Sequence, residues 1–279
     1  MSPKISVITA VFNGAETIEK CIESVHRQTY GNREHIIIDG GSTDGTVDIL
    51  ERHTPKLAYW VSEPDRGIYD AWNKALIHAR GDWICFLGAD DFLWDAKAME
   101  KIIPYLQEAY RKSVKLVCGK VAVCDKSNNC LFYKNDSPGR IKKAMWSSMS
   151  IYHQGLLHHR SWFDKYGCFD SSFCVSGDYE LLIRGWSDEE VIYADDVVFS
   201  GMGLGGVSST HKGRMIIMRE TWKIHRMHRI MPSAVFLSMV FGNYLRSIMI
   251  SIMGERCCYF LLDAKRKLMG QPPYWSKLV

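Results

Sequence analysis

Within residues 5–88, four short apolar runs alternate with three segments of helical periodicity, and this alternation narrows the fold more than any other feature of the chain. "ISVITAV" (5–11) is followed by "TIEKCIESVHRQ", which sets Ile18, Cys21, Ile22 and Val25 on one helical face. "HIIID" (35–39) leads through Gly40 and Gly41 into "TVDILERH", "LAYWVSE" (57–63) leads into "IYDAWNKALIHA", and "WICFLG" (83–88) is the fourth strand. Strands that are apolar almost throughout, joined by short connections through helices, predict an α/β fold with a mostly parallel central sheet covered by helices on both faces. In such folds ligands gather beyond the carboxyl ends of the strands. A chain of 279 residues with 47% hydrophobic content can bury that core as one large domain or two closely packed halves.

The residues that ask for a chemical explanation lie at those strand ends: Phe12, Asp39, Asp65, Asp90 and Asp91. In "FLGADDFLW" (86–94) an apolar run stops at two adjacent carboxylates, which repel unless a cation sits beside them. One of the pair could cap a helix starting near 94–99. A cap needs only one carboxylate, whereas Mg²⁺ or Mn²⁺ is held by one or two carboxylates together with phosphate oxygens. Asp39 precedes two glycines that permit a sharp turn and close ligand approach. It could accept from the imide N–H of a uracil ring or close an Asx-turn. Phe12 could be core, or could present its ring to a nucleotide base.

Composition sets further bounds. A net charge of +4 does not by itself imply nucleic acid, and none is expected as a partner. The nine cysteines form an odd set without a CxxC pair and suit reduced core thiols in a cytoplasmic protein. The N-terminus enters a strand within five residues and does not resemble a signal peptide, so export is not expected. Six Lys or Arg residues (212, 214, 219, 223, 226, 229) face one acid, Glu220, and an apolar run follows until Arg246 interrupts it short of the roughly 18 residues a span requires. That tail suits either a segment lying on an anionic inner-leaflet membrane surface or a helical pair packed on the body or on a second subunit, as in a homodimer. The expected layout is a nucleotide-type half (1–125), a second half (126–209), and a basic then apolar helical tail (210–279). "DKSNNCLFYKNDSPGR", at the start of the second half, is expected to be a loop or hairpin.

Taken in order, "ISVITAVFNGAETIEKCIESVHRQTY", "IIIDGGSTDGT", "SEPDRGIYDAWNKAL", "GDWICFLGADD" and "SGDYELLIRG" resemble the successive signatures of family 2 glycosyltransferases, inverting enzymes of the GT-A nucleotide-diphospho-sugar transferase fold. The resemblance covers about residues 4–210 and is nearest to bacterial enzymes that build exopolysaccharide and O-antigen repeats on a lipid carrier. It implies that Asp39 reads the base of a nucleotide-sugar donor, with UDP favoured by family habit and Phe12 packed on the base. Asp65 and Asn73 would line the donor site, and Asp90 and Asp91 would hold Mn²⁺ or Mg²⁺ and the diphosphate. Asp178 of "SGDYE" would be the general base toward the hydroxyl of a saccharide acceptor, one expected to be lipid-linked. The metal motif departs from the usual Asp-x-Asp, because Gly88 stands at its first position, so metal contact rests on Asp90 with Asp91 helping.

The chemistry asks for the same parts. Displacing a nucleoside diphosphate from an anomeric carbon needs positive charge at the leaving phosphate and a base for the attacking hydroxyl. Asp178 could instead cap the helix that follows it, and Glu180 is the alternative base. His153 and Gln154 could line the acceptor side, although a core or turn role suits His153 equally. "SGMGLGGVS" contains GxGxxG at Gly201, Gly203 and Gly206, with Glu220 near the spacing of a ribose-binding acid, which is the basis of a rival Rossmann-type NAD(P)-dependent oxidoreductase. That fingerprint belongs on the first βα turn, so the stretch is read as a loop that closes over donor phosphate with His211. A non-catalytic sugar- or lipid-binding relative would be expected to have lost Asp90, Asp91 or Asp178.

Overall fold

The computed structural model describes residues 2–125, 129–134, 138–203, 206, 210–270 and 275. In chain order the elements are β1 (Ile5–Val11), α1 (Ile18–His26), β2 (Arg33–Asp39), α2 (Thr46–His53), β3 (Tyr59–Ser62), α3 (Ile68–His78), β4 (Trp83–Phe86), β5 (Phe92–Leu93), α4 (Ala98–Arg111), β6 (Leu116–Cys124), β7 (Cys130–Lys134), α5 (Pro138–Ala144), β8 (Leu156–His159), α6 (Ser161–Tyr166), α7 (Gly177–Gly185), β9 (Val191–Gly203), α8 (His211–Met227), α9 (Ala234–Met253) and α10 (Glu255–Leu268). The three βα units read from the sequence are present. They lay β3, β2, β1 and β4 side by side and parallel.

The sheet then continues as β8, β6, β9 and β5, with β7 forming an antiparallel hairpin on β6. β8 runs antiparallel between β4 and β6. The expected division near residue 125 therefore falls within one continuous sheet, and residues 126–128 of the hairpin loop lie outside the described residues.

Alternating strand side chains feed two cores. Ile37, Cys85 and Leu157 face α1, α2 and α4, whereas Ile36, Ile84, Phe86 and Leu156 face α3 and α7. Polar residues inside the sheet find partners: Ser6 Oγ donates to Glu34 Oε1 at 2.6 Å, and Thr9 Oγ1 meets His35 Nε2 at 3.1 Å. Burial holds the His35 imidazole down at about 3, so it stays neutral. All nine cysteines are free, but only part of the set is core: Cys21, Cys85, Cys124 and Cys258 are buried, and Cys168, Cys174 and Cys257 are exposed.

The C-terminal region divides differently from the expected 210–279 tail. Ile224 of α8 is fully buried in the α3–α7 core, with Thr221 and His225 also buried, so α8 belongs to the folded body. α9 departs from it: Phe236 is buried, while Val235, Leu237, Phe241, Tyr244 and Ile252 are exposed. At 20 residues it is long and apolar enough to cross a membrane, which corrects the expectation that Arg246 leaves it too short. Arg246 does not face outward: its guanidinium stacks 4.2 Å from the Trp275 ring and donates to Asn243 Oδ1 at 3.2 Å. The exposed apolar face is thereby left without that charge.

Candidate active site

The turn after β4 is built around Gly88, Asp90 and Asp91. Asp91 N–H donates to the Gly88 carbonyl at 3.0 Å, which folds the two carboxylates back over the glycine. A methyl group at Gly88 would lie 2.6 Å from Asp91 Oδ2 and 2.9 Å from Asp90 Oδ1, so the departure from Asp-x-Asp leaves room that this turn occupies. Neither aspartate caps a helix. β5 follows at once, and α4 begins only at Ala98, after a turn in which Asp95 Oδ1 accepts from Lys97 N–H at 2.8 Å.

The two carboxylates differ in their surroundings. Asp91 is buried and accepts from Gly88 N–H and Gly203 N–H, both at 3.2 Å, with the Gln154 amide as a further donor. Burial, then the neighbouring Asp90, pushes it up to about 7. Asp90 is exposed on the turn, yet the protein crowded around it raises its carboxyl as well. Asp91 therefore organises the turn, and Asp90 is the carboxylate open to a ligand, which shifts the expected metal contact onto one residue. Among the described residues no group of three or more His, Cys, Asp or Glu could hold a metal by itself. One or two carboxylates completed by phosphate oxygens is the ordinary arrangement for Mg²⁺ or Mn²⁺, so the donor set fits a cation that arrives with a diphosphate.

The GxGxxG glycines explain themselves against this turn. A Cβ at Gly201 would sit 2.3 Å from the Phe92 ring, one at Gly203 would be 3.1 Å from the Asp90 carbonyl, and one at Gly206 would be 3.7 Å from Asp90 Oδ2. They allow the end of β9 to press on the carboxylate turn, and they do not open a βα dinucleotide site. Residues 204, 205 and 207–209 of the expected closing loop lie outside the described residues. His211, expected to join that loop, contacts Ser247 Oγ of α9 at 3.3 Å.

At the ends of β1 and β2 stands a second group. Phe12 is 65% exposed directly after a strand that is otherwise buried. Gly40 lets Phe12 and Asp65 close on one point: a Cβ there would be 3.4 Å from the Phe12 ring and 2.7 Å from Asp65 Oδ2. Asp39 is fully buried. Its Oδ2 accepts from Gly41 N–H (3.1 Å), Ser42 N–H (2.9 Å) and Ser62 Oγ (2.6 Å), so its carboxylate closes the turn, and the base-reading role is corrected to the Asx-type one.

Asp178 lies in the first turn of α7, whose N-cap residue Ser176 makes no side-chain cap bond. The segment leading into the helix is held by Glu220 of α8, whose Oε1 accepts from Cys174 N–H at 2.6 Å and whose Oε2 accepts from Val175 and Ser176 N–H at 3.0 and 2.8 Å. Asp178 Oδ1 accepts from Tyr179 N–H at 2.8 Å and lies 3.3 Å from the Tyr69 hydroxyl, whose shorter bond, at 2.5 Å, goes to the Val175 carbonyl. Tyr69 belongs to the first turn of α3, just beyond the carboxyl end of β3, and Gly177 makes room for its ring. Burial raises Asp178 to about 6, with Glu220 adding to the rise and the contacts with Tyr179 N–H, the Tyr69 hydroxyl and its own backbone N–H opposing it. A carboxylate with that value is suited to proton abstraction near neutral pH.

The remaining expected site residues are structural. Glu180 is buried between Arg184 and His228, the latter at 2.9 Å, and has no freedom to act as base. The Asn73 amide is spent on the backbone of Phe169, donating at 2.8 Å and accepting at 3.0 Å, so it staples a loop and does not line the donor site. His153 is buried among Trp72, Phe86, His158 and Phe169, and burial keeps it neutral at about 3, which makes it a core histidine. Gln154 serves the Asp91 turn. Sequence reasoning missed Glu220 as the clamp on the segment before α7 and Tyr69 as the neighbour of Asp178.

A mixed, largely parallel sheet flanked by helices, with carboxylates gathered at its strand ends, is the GT-A glycosyltransferase fold. Residues 6–166 match the sequence profile of glycosyl transferase family 2. A PGL/p-HBAD biosynthesis glycosyltransferase of Mycobacterium bovis is 31% identical over 214 residues, 75% of this chain and 80% of that protein. An uncharacterized glycosyltransferase of Mycobacterium tuberculosis is 32% identical over 192 residues, 66% of this chain and 69% of that one. Among solved structures, mannosyltransferase PcManGT from Pyrobaculum calidifontis, in complex with GDP-Man and Mn²⁺, aligns with a TM-score of 0.63 at 19% identity, over 100% of this chain and 84% of that one. S. aureus TarS 1-349 with UDP aligns with a TM-score of 0.57 at 16% identity, over 78% of this chain and 65% of that one. The chain belongs to glycosyl transferase family 2, and it is a glycosyltransferase.

Proposed function

We propose that the enzyme moves a hexosyl or N-acetylhexosaminyl group from a nucleotide-diphosphate sugar, with UDP as the nucleotide, to a hydroxyl of a lipid-linked saccharide in bacterial surface polysaccharide assembly, with inversion. The observation that carries the mechanism is Asp178: a carboxylate in the first turn of α7, on a segment held by Glu220, 3.3 Å from the Tyr69 hydroxyl, and raised to about 6. UDP as nucleotide draws support from the UDP complex of TarS, although PcManGT carries GDP-Man.

In this account the exposed Phe12 ring stacks on the base, with Asp65 beside it and Asp39 holding the turn. Asp90 would hold Mn²⁺ or Mg²⁺, which when bound neutralises charge on the departing diphosphate. Asp91, fixed by Gly88, Gly203 and Gln154, keeps Asp90 in place. Asp178 takes the proton of the acceptor hydroxyl as that oxygen attacks the anomeric carbon, and a base delivered from another part of the sheet suits attack opposite the leaving group.

The exposed face of α9 supports a peripheral seat on the cytoplasmic side of a membrane. α9 is held along the body through Ser233 to Ser147 (2.7 Å), Ser247 to His211 (3.3 Å) and its packing on α10, so one apolar face remains to enter the headgroup boundary. Basic residues of α8 and Arg256, Lys265, Arg266 and Lys267 of α10 add attraction to anionic lipid. Nine unpaired cysteines agree with a reducing compartment.

The test is a thermal-shift panel of nucleotide sugars with and without Mn²⁺, because a ligand bound only by the folded state raises its melting temperature by mass action. A UDP-sugar should give the largest rise, and a larger one with Mn²⁺. No response to any nucleotide sugar would overturn the donor assignment.

A further inference from the structure

We propose that Glu220, on the helix that follows the sheet, is a positioning residue for the general base Asp178. This inference rests on the assignment of Asp178 made above. Glu220 gathers three consecutive backbone N–H groups, Cys174, Val175 and Ser176, which form the segment leading directly into α7. Fixing that segment fixes where the first turn of α7 begins, and Asp178 is its second residue. Within that first turn Asp178 Oδ1 accepts from Tyr179 N–H at 2.8 Å and lies 3.3 Å from the Tyr69 hydroxyl, so the place of its carboxylate follows the start of the helix.

Glu220 is itself held rigidly. One turn further along α8, Lys223 Nζ donates to Ser172 Oγ at 2.9 Å and lies 4.1 Å over the Phe173 ring, and Ile224 is buried in the core. His225 meets the Tyr179 hydroxyl at 3.2 Å, and His228 meets Glu180 at 2.9 Å. Four side chains of this stretch, Glu220, Lys223, His225 and His228, thus clamp both ends of the first turns of α7. The titratable groups that bear on Asp178 are Tyr69 from α3 and Glu220 from α8, while Glu180 is neutralised by Arg184 and His228 and Lys223 is engaged at Ser172. The nearby Glu220 anion works in one direction, favouring the protonated form of Asp178.

Glu220→Gln separates positioning from simple packing. The amide has one acceptor oxygen, so its NH₂ must confront either Cys174 N–H or the Val175 and Ser176 pair. Loss of the anion and looser packing both lower the Asp178 midpoint. The readout is the titration of Asp178 in carboxyl-¹³C-aspartate-labelled full-length protein by NMR, with the resonance assigned by its disappearance in Asp178→Asn. The midpoint should fall by about half a pH unit in Glu220→Gln, from the loss of one nearby charge, and by less in Glu220→Asp, which keeps the charge. Amide exchange at 174–176 should quicken in both. An unchanged midpoint with unchanged exchange, in either variant that folds, overturns the proposal. If Asp178→Asn transfers sugar normally, it is the base assignment that fails. If that variant is inactive while Glu220→Gln leaves both the midpoint and the exchange in place, Glu220 alone is wrong.

Discussion

Phe12→Ala separates what the strand-end aromatic does for folding from what it does for the donor. The ring is 65% exposed, so about a third of its surface is buried. Full burial of a phenylalanine is worth roughly 1.5–3 kcal/mol, and a third of that is about 0.5–1 kcal/mol. For a chain of this size each kcal/mol moves the melting temperature by about 2–4 °C, so a drop of only a few degrees is expected. Stacking of a base on an aromatic ring is worth about 1–3 kcal/mol. The affinity for UDP should therefore fall roughly 5- to 150-fold, since 1.4 kcal/mol is tenfold. Titration calorimetry with UDP and Mn²⁺, beside ligand-free thermal unfolding, measures both. Unchanged UDP affinity, or a loss of stability above about 2 kcal/mol with affinity intact, would show that Phe12 is a packing residue after all.

Three further outcomes follow from particular contacts. Gly88→Ala places a methyl group against Asp91 Oδ2 and should cost about 1–3 kcal/mol by overpacking while weakening UDP binding in Mn²⁺; a variant as stable and as tight as the parent would refute the crowded turn. Asp178 is raised when folded, so the folded state keeps a proton that the unfolded chain has lost between roughly pH 4 and 6, and stability from this group falls as pH rises through that window. Asp178→Asn should accordingly gain stability over the parent at pH 7.5 and little at pH 4, which denaturant unfolding at the two values checks; a less stable variant at pH 7.5 contradicts the sign. Sedimentation with vesicles should show binding that requires anionic lipid, weakens with salt and is lost when the chain is cut after Arg229, whereas equal recovery in the supernatant with neutral and anionic vesicles would favour subunit packing for α9.

The parts of this architecture that were legible are those written in local periodicity. The four parallel strands, the helices between them and the clustering of Phe12, Asp65 and Asp90 at strand ends all follow from apolar spacing within some 90 residues. β8 was not legible, because "LLHH" carries no sign that it will insert antiparallel between β4 and β6. Side-chain roles set by distant partners were equally hidden. Glu220 holds the segment before α7 from more than 40 residues away, and nothing in "MRETWK" announces it. Asn73 looked like a donor-site residue until its amide was seen to close on the Phe169 backbone. His153 had a local clue in the aromatics of its neighbourhood, but Trp72, Phe86 and Phe169 reach it only through the fold. Arg246 reads in sequence as an interruption of an apolar face, and the structure turns it inward onto Trp275.

The central claim, that Asp178 is the base and Asp90 the carboxylate serving the donor, meets its most direct test in Asp178→Asn assayed for sugar transfer and for donor binding on the same preparation. The account predicts that the variant binds nucleotide sugar with the parent's affinity while transfer falls by about 10²–10⁴-fold, the usual cost of a lost general base, and that the parent's rate rises with pH along an acid limb near 6. Transfer at close to the parent's rate, with donor affinity unchanged, would contradict it and send the search for the base elsewhere on the sheet's edge.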